Sequence, residues 1–162
     1  NTHMVSCVGR DQLGLQILSF LETRQINTSS ITFSDRHPTG TVQVQLNLSG
    51  HPKFKICGDS AWDFIPWSKE LALLASTTNA VCYGTLSQRS QMSRDTIQRF
   101  LESLPPDCLR VLDINFRQQF YDLTLVRQSL QFADVLKLSD EELPVLASAL
   151  GCLAQIRLSS RH

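Results

Sequence analysis

Residues 111–117 read Val-Leu-Asp-Ile-Asn-Phe-Arg, an apolar strand-like segment that passes within a few positions into polar and charged side chains. Two other short runs share its apolar character, Ala-Val-Cys-Tyr at 80–83 and Val-Leu-Lys-Leu at 135–138. Runs that are apolar on both faces and separated by helical segments are typical of strands buried in a parallel sheet. The three runs therefore predict an α/β fold, in which a mostly parallel sheet lies between helices.

Helical periodicity accounts for the segments around these strands. A strand at 4–8 leads into a helix whose apolar residues are predicted to face inward, namely Leu13, Ile17, Phe20 and Leu21. The spacing i, i+3, i+4, i+7 recurs around Phe100 and around Leu146, and Ser93 is predicted to cap the first of these helices.

Residues 42–56 show strict alternation instead, which is typical of an antiparallel sheet with one face in water. The apolar positions are Val42, Val44, Leu46, Leu48, Phe54 and Ile56, with a turn predicted at 49–52 and a third strand around Ile31 and Phe33. We expect a small β lid at 29–58, inserted into an α/β core formed by residues 1–28 and 59–162. A ligand cleft, the main domain or a second copy of the sheet would suit its apolar face.

Composition excludes several classes of protein. Fifteen basic residues balance fifteen acidic ones, so the charge pattern predicts neither nucleic acid nor an anionic membrane as a partner. The longest apolar run, 71–75, is far shorter than the ~20 residues that a membrane span needs. Five widely spaced cysteines with no Cys-x-x-Cys pair predict neither a disulfide framework nor a zinc site, and they favour the cytoplasm.

Polar residues follow the three buried runs, at the edge where open α/β sheets bind their ligands. These candidate site residues are Tyr83, Asp113, Asn115, Arg117, Lys137, Ser139 and Glu142. Together they offer cations for phosphate, carboxylates for a metal ion, and hydroxyl and amide groups for a polyol. Those are the components of a phosphoryl-transfer site.

Each candidate also has a structural interpretation. Residues 113–117 suit a turn, Ser139 to Glu142 form a capping box, and Tyr83 suits a core aromatic residue with a paired hydroxyl. Arg89, Arg94 and Arg99 are interpreted as a solvated helix face. The glycines form no Gly-x-Gly, so neither a P-loop nor a dinucleotide fingerprint is present.

Five segments, in order along the chain, resemble motifs of the PfkB carbohydrate kinases, which belong to the ribokinase-like superfamily, and most closely those of bacterial fructokinases. They are Val8–Gly14 (V-G-x-D-x-x-G), Pro38–Gly40 (P-T-G), Tyr83–Ser90, Asp113–Arg117 (D-x-N-x-R) and Ala133–Glu142. The resemblance implies a three-layer α/β/α fold with a β lid that pairs in a homodimer. It also implies transfer of the ATP γ-phosphate to a sugar hydroxyl with Mg²⁺.

The same resemblance implies roles for individual residues. Arg117 would contact the sugar or the transferred phosphate, with Asp113, Asn115 and Tyr83 in the substrate site. Lys137, Ser139 and Glu142 would form the nucleotide and magnesium shell, with no direct metal ligand among them. Serine stands at 139, where many relatives have asparagine.

The resemblance covers the central part of the family pattern. The family's first strand, with its sugar-binding Asp, would precede residue 1, and the G-A-G-D motif that holds the general base would follow residue 162. Loss of a general base costs ~10²–10⁴-fold in rate, so we expect no competent kinase from residues 1–162 alone. Two alternatives are a non-catalytic module that binds sugar or dimerises through the lid, and a flavodoxin-like domain, which leaves the five motifs unexplained.

Overall fold

The computed structural model describes residues 1–46, 50, 52–117, 120 and 122–151. The chain divides into two compact units, the first made of residues 1–78 and 87–106 and the second of residues 79–86 and 107 onward. Within the described ranges, no helix combines the length and the apolar character that crossing a membrane would require. The four cysteines in those ranges are free, and Cys152 lies outside them.

The first unit begins with strand β1 (Ser6–Gly9), helix α1 (Gln12–Thr23) and strand β2 (Ile31–Ser34). Strand β2 runs parallel to β1, with Ser6 opposite Ile31. The prediction that residues 31–33 extend the antiparallel sheet is therefore wrong. Helix α1 carries the chain back to the start of β1, so the next strand pairs with β1 in the same direction.

Strands β3 (Val42–Leu46) and β4 (Pro52–Ile56) form the predicted antiparallel hairpin. Val44 lies opposite Phe54, and these two side chains, which share a face of the hairpin, are 56% and 59% exposed. Of the predicted connection, Leu48, Ser49 and His51 lie outside the described residues. The alternating pattern thus predicted the hairpin correctly, and its apolar face is exposed in this chain.

Helix α1 does not bury the residues that were predicted to face inward. Leu13, Ile17 and Phe20 are 47%, 38% and 58% exposed, and Gly14 is the one residue of the helix that is buried. The helix approaches the two-stranded sheet through this glycine, and its larger apolar side chains lie along an open groove of about 270 Å³ beside residues 39–41. The periodicity predicted the helix correctly but not the face that it packs.

The rest of the first unit contains a short 3-10 helix (Ala61–Asp63), helix α2 (Lys69–Ser76) and helix α3 (Gln91–Glu102). Ser90, not Ser93, precedes α3, so the predicted cap is wrong. Ser93 instead lies within α3 and is completely buried. Its hydroxyl donates to the Trp62 carbonyl (2.8 Å) and accepts from the Ile65 N–H (3.0 Å), so this polar group is satisfied. Ser93 therefore joins α3 to the segment that follows the hairpin.

The second unit contains strand β5 (Ala80–Gly84), strand β6 (Leu109–Asp113), helix α4 (Leu123–Gln131), strand β7 (Val135–Lys137) and helix α5 (Glu142–Leu150). The three strands are parallel in the order β5-β6-β7, which confirms the parallel sheet predicted from the apolar runs. The prediction that both faces of these strands are buried is wrong, since Val135 and Leu136 of the edge strand β7 are 46% and 37% exposed. The core of this unit is nearly inaccessible to solvent and includes Leu112, Ile114, Leu125 and Val126.

Asp11 joins helix α1 to the segment that leads into β3. Its carboxylate accepts hydrogen bonds from the Gly14 N–H (2.9 Å), as a helix cap, and from the N–H (2.8 Å) and hydroxyl (2.7 Å) of Thr39. These hydrogen bonds, those from Thr39 first, hold the pKa of Asp11 below its usual value. The V-G-x-D-x-x-G and P-T-G segments are therefore two parts of one hydrogen-bonded junction.

The close approach at Gly14 gives a test of this packing. A Cβ at Gly14 would collide with the Gly9 carbonyl oxygen, a backbone atom that cannot move aside cheaply. We expect Gly14→Ala to lower the free energy of unfolding by about 1–2 kcal/mol, because overpacking costs up to about 3 kcal/mol and outweighs the ~1 kcal/mol that alanine normally gains in a helix. Urea unfolding measures the change.

Gly58→Ala is the matched control, since no atom lies within 4 Å of a Cβ built at Gly58. We expect its stability to stay within about 0.5 kcal/mol of the wild type or to rise slightly. A Gly14→Ala protein as stable as the Gly58→Ala protein would contradict the packing described.

Candidate functional site

The carboxyl ends of β5, β6 and β7 bring predicted site residues into one row. Asp113 pairs with Gly84 on one neighbouring strand and with Lys137 on the other. The Lys137 Nζ lies 2.8 and 2.9 Å from the two carboxylate oxygens of Asp113. This hydrogen bond, together with the charge of Asp113, raises the pKa of Lys137. The Lys137 ammonium therefore stays charged at neutral pH and lies beside Asp113.

The loop after β6 orders the remaining residues of the D-x-N-x-R segment. The buried Ile114 anchors this loop, and its N–H donates to the Lys137 carbonyl (3.0 Å). The Asn115 side-chain amide donates to the Asp113 carbonyl (3.3 Å), and its Oδ1 accepts from Nη2 of Arg117 (2.9 Å). Asn115 thus links the end of β6 to the exposed guanidinium of Arg117.

Glu142 ties this loop to the start of helix α5. Its Oε1 accepts from the Phe116 N–H (2.9 Å), and its Oε2 accepts from the N–H (2.8 Å) and the hydroxyl (3.0 Å) of Ser139. Burial raises the pKa of Glu142, but these hydrogen bonds and the charge of Arg117 together outweigh burial, so the net pKa lies below its usual value. The carboxylate is therefore ionised at neutral pH and joins two separate loops.

The predicted capping box is present, because the Ser139 hydroxyl also accepts from the Glu142 N–H (3.3 Å). The capping box and the Phe116 N–H do not use every hydrogen-bond acceptor position of the Glu142 carboxylate. A carboxylate offers about four lone-pair positions, and three are filled here. The fourth is enough to accept from a metal-bound water, but not to bind a metal through both oxygens.

Mg²⁺ is a cation whose bound water could donate to this acceptor position, because Mg²⁺ usually keeps several waters and takes its other ligands from substrate phosphates. Across the part of the chain that the structure describes, no group of three or more His, Cys, Asp and Glu side chains could hold a metal ion. The one acceptor position left on Glu142 would fit a water molecule of a phosphate-bound Mg²⁺.

Tyr83 lies in the core of the second unit and not among these polar contacts. Its hydroxyl donates to the Ser129 carbonyl (2.7 Å), and burial raises its pKa to about 12. The structure thus links six of the seven predicted site residues through direct contacts with one another or with the 114–117 loop. The seventh, Tyr83, uses its hydroxyl to bind Ser129 instead.

One feature of the strand ends was not predicted from the sequence, namely the backbone N–H of Phe116, which no side-chain pattern reveals. Thr85, which the sequence places with Tyr83 at the polar end of β5, is completely buried. Its hydroxyl has no hydrogen-bond partner among the described residues.

Arg89 requires a correction, because it does not belong to a solvated helix face. Its side chain is 6% exposed and forms an ion pair with Asp63, which is 7% exposed. The two residues lie 26 positions apart, so no local pattern indicates the pair.

A parallel sheet with this polar row, together with a hairpin held at a P-T-G segment, is the arrangement that the resemblance implied. The family model for the pfkB family carbohydrate kinases matches residues 1–158. The chain belongs to the pfkB family of carbohydrate kinases.

Two relatives agree with this assignment. A fructokinase from Salmonella typhimurium is 29% identical over 156 residues, which are 92% of this chain and 50% of that protein. A sugar kinase from Pyrococcus horikoshii is 25% identical over 150 residues, which are 86% of this chain and 46% of that protein. The chain thus spans about half the length of the curated relatives it matches.

Solved structures confirm the ribokinase-like fold. A fructokinase from Xylella fastidiosa superimposes with a TM-score of 0.81 at 19% identity, over 92% of this chain and 48% of that one. The ATP-bound structure of a fructokinase from the same organism gives a TM-score of 0.79 at 20% identity, over 91% and 47% of the two chains. The Pyrococcus horikoshii sugar kinase gives 0.78 at 23% identity, over 90% and 50%.

The role of Glu142 in holding the loop gives a pH-dependent prediction. Glu142→Gln keeps the shape of the side chain but leaves a buried donor without its acceptor, so we expect a loss of about 1–3 kcal/mol in the free energy of unfolding at pH 7. The folded pKa lies below the unfolded value of about 4.3. The carboxylate's contribution is therefore complete above about pH 4.3 and disappears as the pH falls through its folded pKa.

Urea unfolding of the wild type and Glu142→Gln at pH 7 and pH 3 measures this difference. Glu141→Gln, an exposed neighbour, serves as the control and should stay within about 0.5 kcal/mol of the wild type. A Glu142→Gln loss that is as large at pH 3 as at pH 7 would contradict the role of the charge.

Proposed function

We propose that the protein is an ATP-dependent sugar kinase of the fructokinase type, which transfers the γ-phosphate to a sugar hydroxyl. The observation that carries this proposal is the chain of contacts from Lys137 through Asp113 and Asn115 to Arg117 at the ends of adjacent parallel strands. Phosphoryl transfer depends on positioned cations and hydrogen-bond donors at such an edge. Membership of the carbohydrate kinase family and 29% identity to a fructokinase support the substrate class.

In this proposal ATP supplies the transferred phosphoryl group, and Mg²⁺ neutralises the charge of its phosphates. Glu142 and Ser139 orient the water shell of the metal, and Lys137 contacts a phosphate oxygen. The ion pair of Lys137 with Asp113 is 70% and 30% exposed at its two side chains. Exposed pairs contribute only about 0–1 kcal/mol, so a phosphate can recruit the ammonium at little cost.

Arg117 contacts the transferred phosphoryl group or the sugar, and Asn115 orients its guanidinium. The proposal assigns hydroxyl recognition to Asp113 and Asn115. The sugar hydroxyl must lose a proton during attack, and the resemblance implies a general base in a G-A-G-D motif, which residues 1–162 do not contain. Asp113 and Glu142 are not proposed as the base, because protein donors already occupy both carboxylates.

We also propose that the hairpin β3–β4, within the predicted lid at 29–58, acts as the lid of the kinase. Strand β2 pairs in parallel with β1 and belongs, with residues 1–28 and 59–162, to the proposed α/β core. The exposed apolar face of the hairpin, including Val44 and Phe54, supports contact with the same face of a second copy in a homodimer. The free cysteines of the described ranges are compatible with the proposed location in the cytoplasm.

The activity test uses the full-length protein that contains residues 1–162, because residues 1–162 alone are not expected to catalyse the reaction. It is mixed with ATP, Mg²⁺ and a panel of hexoses that begins with fructose, and ADP release is the readout. We expect sugar-dependent ADP release, and we expect Arg117→Ala to lower kcat/KM by at least ~10²-fold, since arginines at transferring phosphoryl groups contribute ~10³–10⁵-fold. Arg36→Ala, at an exposed arginine of the first unit, is the matched control and should keep wild-type activity.

Two results would contradict the proposal. Sugar binding without ADP release would favour the non-catalytic module over the kinase. Undiminished turnover in the Arg117→Ala protein would show that the strand-end residues do not form the active site.

A further inference from the structure

Buried polar contacts hold both ends of the hairpin β3–β4 to the first unit. Ahead of β3, Thr39 binds Asp11 as described above. After β4, the Cys57 carbonyl accepts a hydrogen bond from Nη2 of Arg89 (2.7 Å). The hairpin is therefore fixed at two points, and the second of them depends on a charged residue that the sequence did not indicate.

Arg89 makes directional contacts. Its Nε lies 2.7 Å from Oδ1 of Asp63 and its Nη2 lies 2.7 Å from Oδ2, so the fork is bidentate. Its guanidinium carbon lies 4.0 Å from the centroid of the Trp62 ring. We call Cys57, Trp62, Asp63 and Arg89 the clamp.

The clamp contacts the hairpin on both sides. Asp63 also accepts from the Ser60 N–H (3.1 Å), which orders the segment after β4. Trp62 occupies the space that a Cβ at Gly40 would need, so its indole packs directly against the segment before β3. Arg89 therefore acts on the outgoing segment through Cys57 and on the incoming segment through Trp62.

We infer that Arg89, with Asp63, is a positioning residue that sets the direction of the hairpin on the first unit. The inference rests on the proposed function in one respect, namely that the hairpin serves as a lid for the sugar. Five-residue strands are about 17 Å long, so a rotation of about 10° at their base moves the tip by about 3 Å. Displacements of this size weaken substrate binding in sites that close over their ligands.

Arg89→Lys separates the effect of the directional hydrogen bonds of Arg89 from the effect of its positive charge. Lysine keeps a counter-charge for the buried Asp63, so the variant should fold, but an ammonium lacks the planar fork that binds Asp63 and Cys57 together. Arg89→Met removes the charge as well and serves as the stronger variant. Arg10→Lys is the matched control, because Arg10 pairs with Asp35 in the same unit at 2.6 Å, with side chains 63% and 74% exposed.

Hydrogen exchange gives the first readout and does not depend on activity. In Arg89→Lys we expect the amides of residues 42–46 and 53–56 to exchange at least about tenfold faster, while the α3 amides of the same unit keep their protection. We expect Arg10→Lys to leave both regions unchanged. Sugar kinetics give the second readout, with KM for the sugar about tenfold higher and KM for ATP within about twofold of the wild type.

Unchanged hydrogen-exchange rates in the hairpin of Arg89→Lys would overturn the inference. An equal rise in the exchange rates of the hairpin and of α3 would also overturn it, because the Arg89–Asp63 pair would then only stabilise the unit. If Arg89→Met fails to fold, Arg89→Lys decides the question. If the wild-type protein phosphorylates no sugar, the proposed function fails, while the exchange data still test whether Arg89 positions the hairpin.

Discussion

A buried carboxylate, Glu142, holds the candidate site together. The loops that follow parallel strands are not joined to one another by the backbone hydrogen bonds of the sheet. Here the three hydrogen bonds of Glu142 connect the 114–117 loop to the start of α5. A buried charge is costly unless donors surround it, so these bonds form only when both loops adopt their folded positions. The geometry around Arg117 is therefore coupled to the folding of the second unit.

Carboxylates that accept several hydrogen bonds also hold the first unit together, at the base of its hairpin. Asp11 accepts three hydrogen bonds there, and the Arg89–Asp63 pair is more than nine-tenths buried. Each carboxylate joins segments that are distant in sequence, and each lies where the chain passes from one element to another. Gly9, Gly14 and Gly40 provide the space for the close approaches at the base of the hairpin, because a Cβ at any of them would collide with a neighbouring residue.

Local patterns predicted the features that depend on local physics. The apolar runs predicted β5, β6 and β7, because short apolar segments between helices are typical of a parallel sheet, and Ser139-x-x-Glu142 predicted its capping box. Alternation predicted the hairpin and the face that its apolar residues share. It did not reveal the partner of residues 31–34, since a strand's pattern does not encode which strand lies beside it.

Long-range contacts account for the features that were missed. The face of α1 depends on how closely Gly14 approaches Gly9, and the burial of Arg89 depends on Asp63, 26 residues earlier. The N–H of Phe116 carries no side-chain signal at all. The candidate residues were nevertheless predicted from their position after short apolar strands, because the edge of a parallel sheet gathers distant segments into one place.

Amide chemical shifts can map the ligands onto the chain and so test whether the strand ends form the site. ATP with Mg²⁺ is titrated into the isotope-labelled protein, followed by fructose. We expect the largest shifts on the amides of residues 113–117 and 137–142, with Phe116 and Ser139 among them because their N–H groups donate to Glu142. Shifts that spare both segments while either ligand binds elsewhere would contradict a phosphoryl-transfer site at the strand ends.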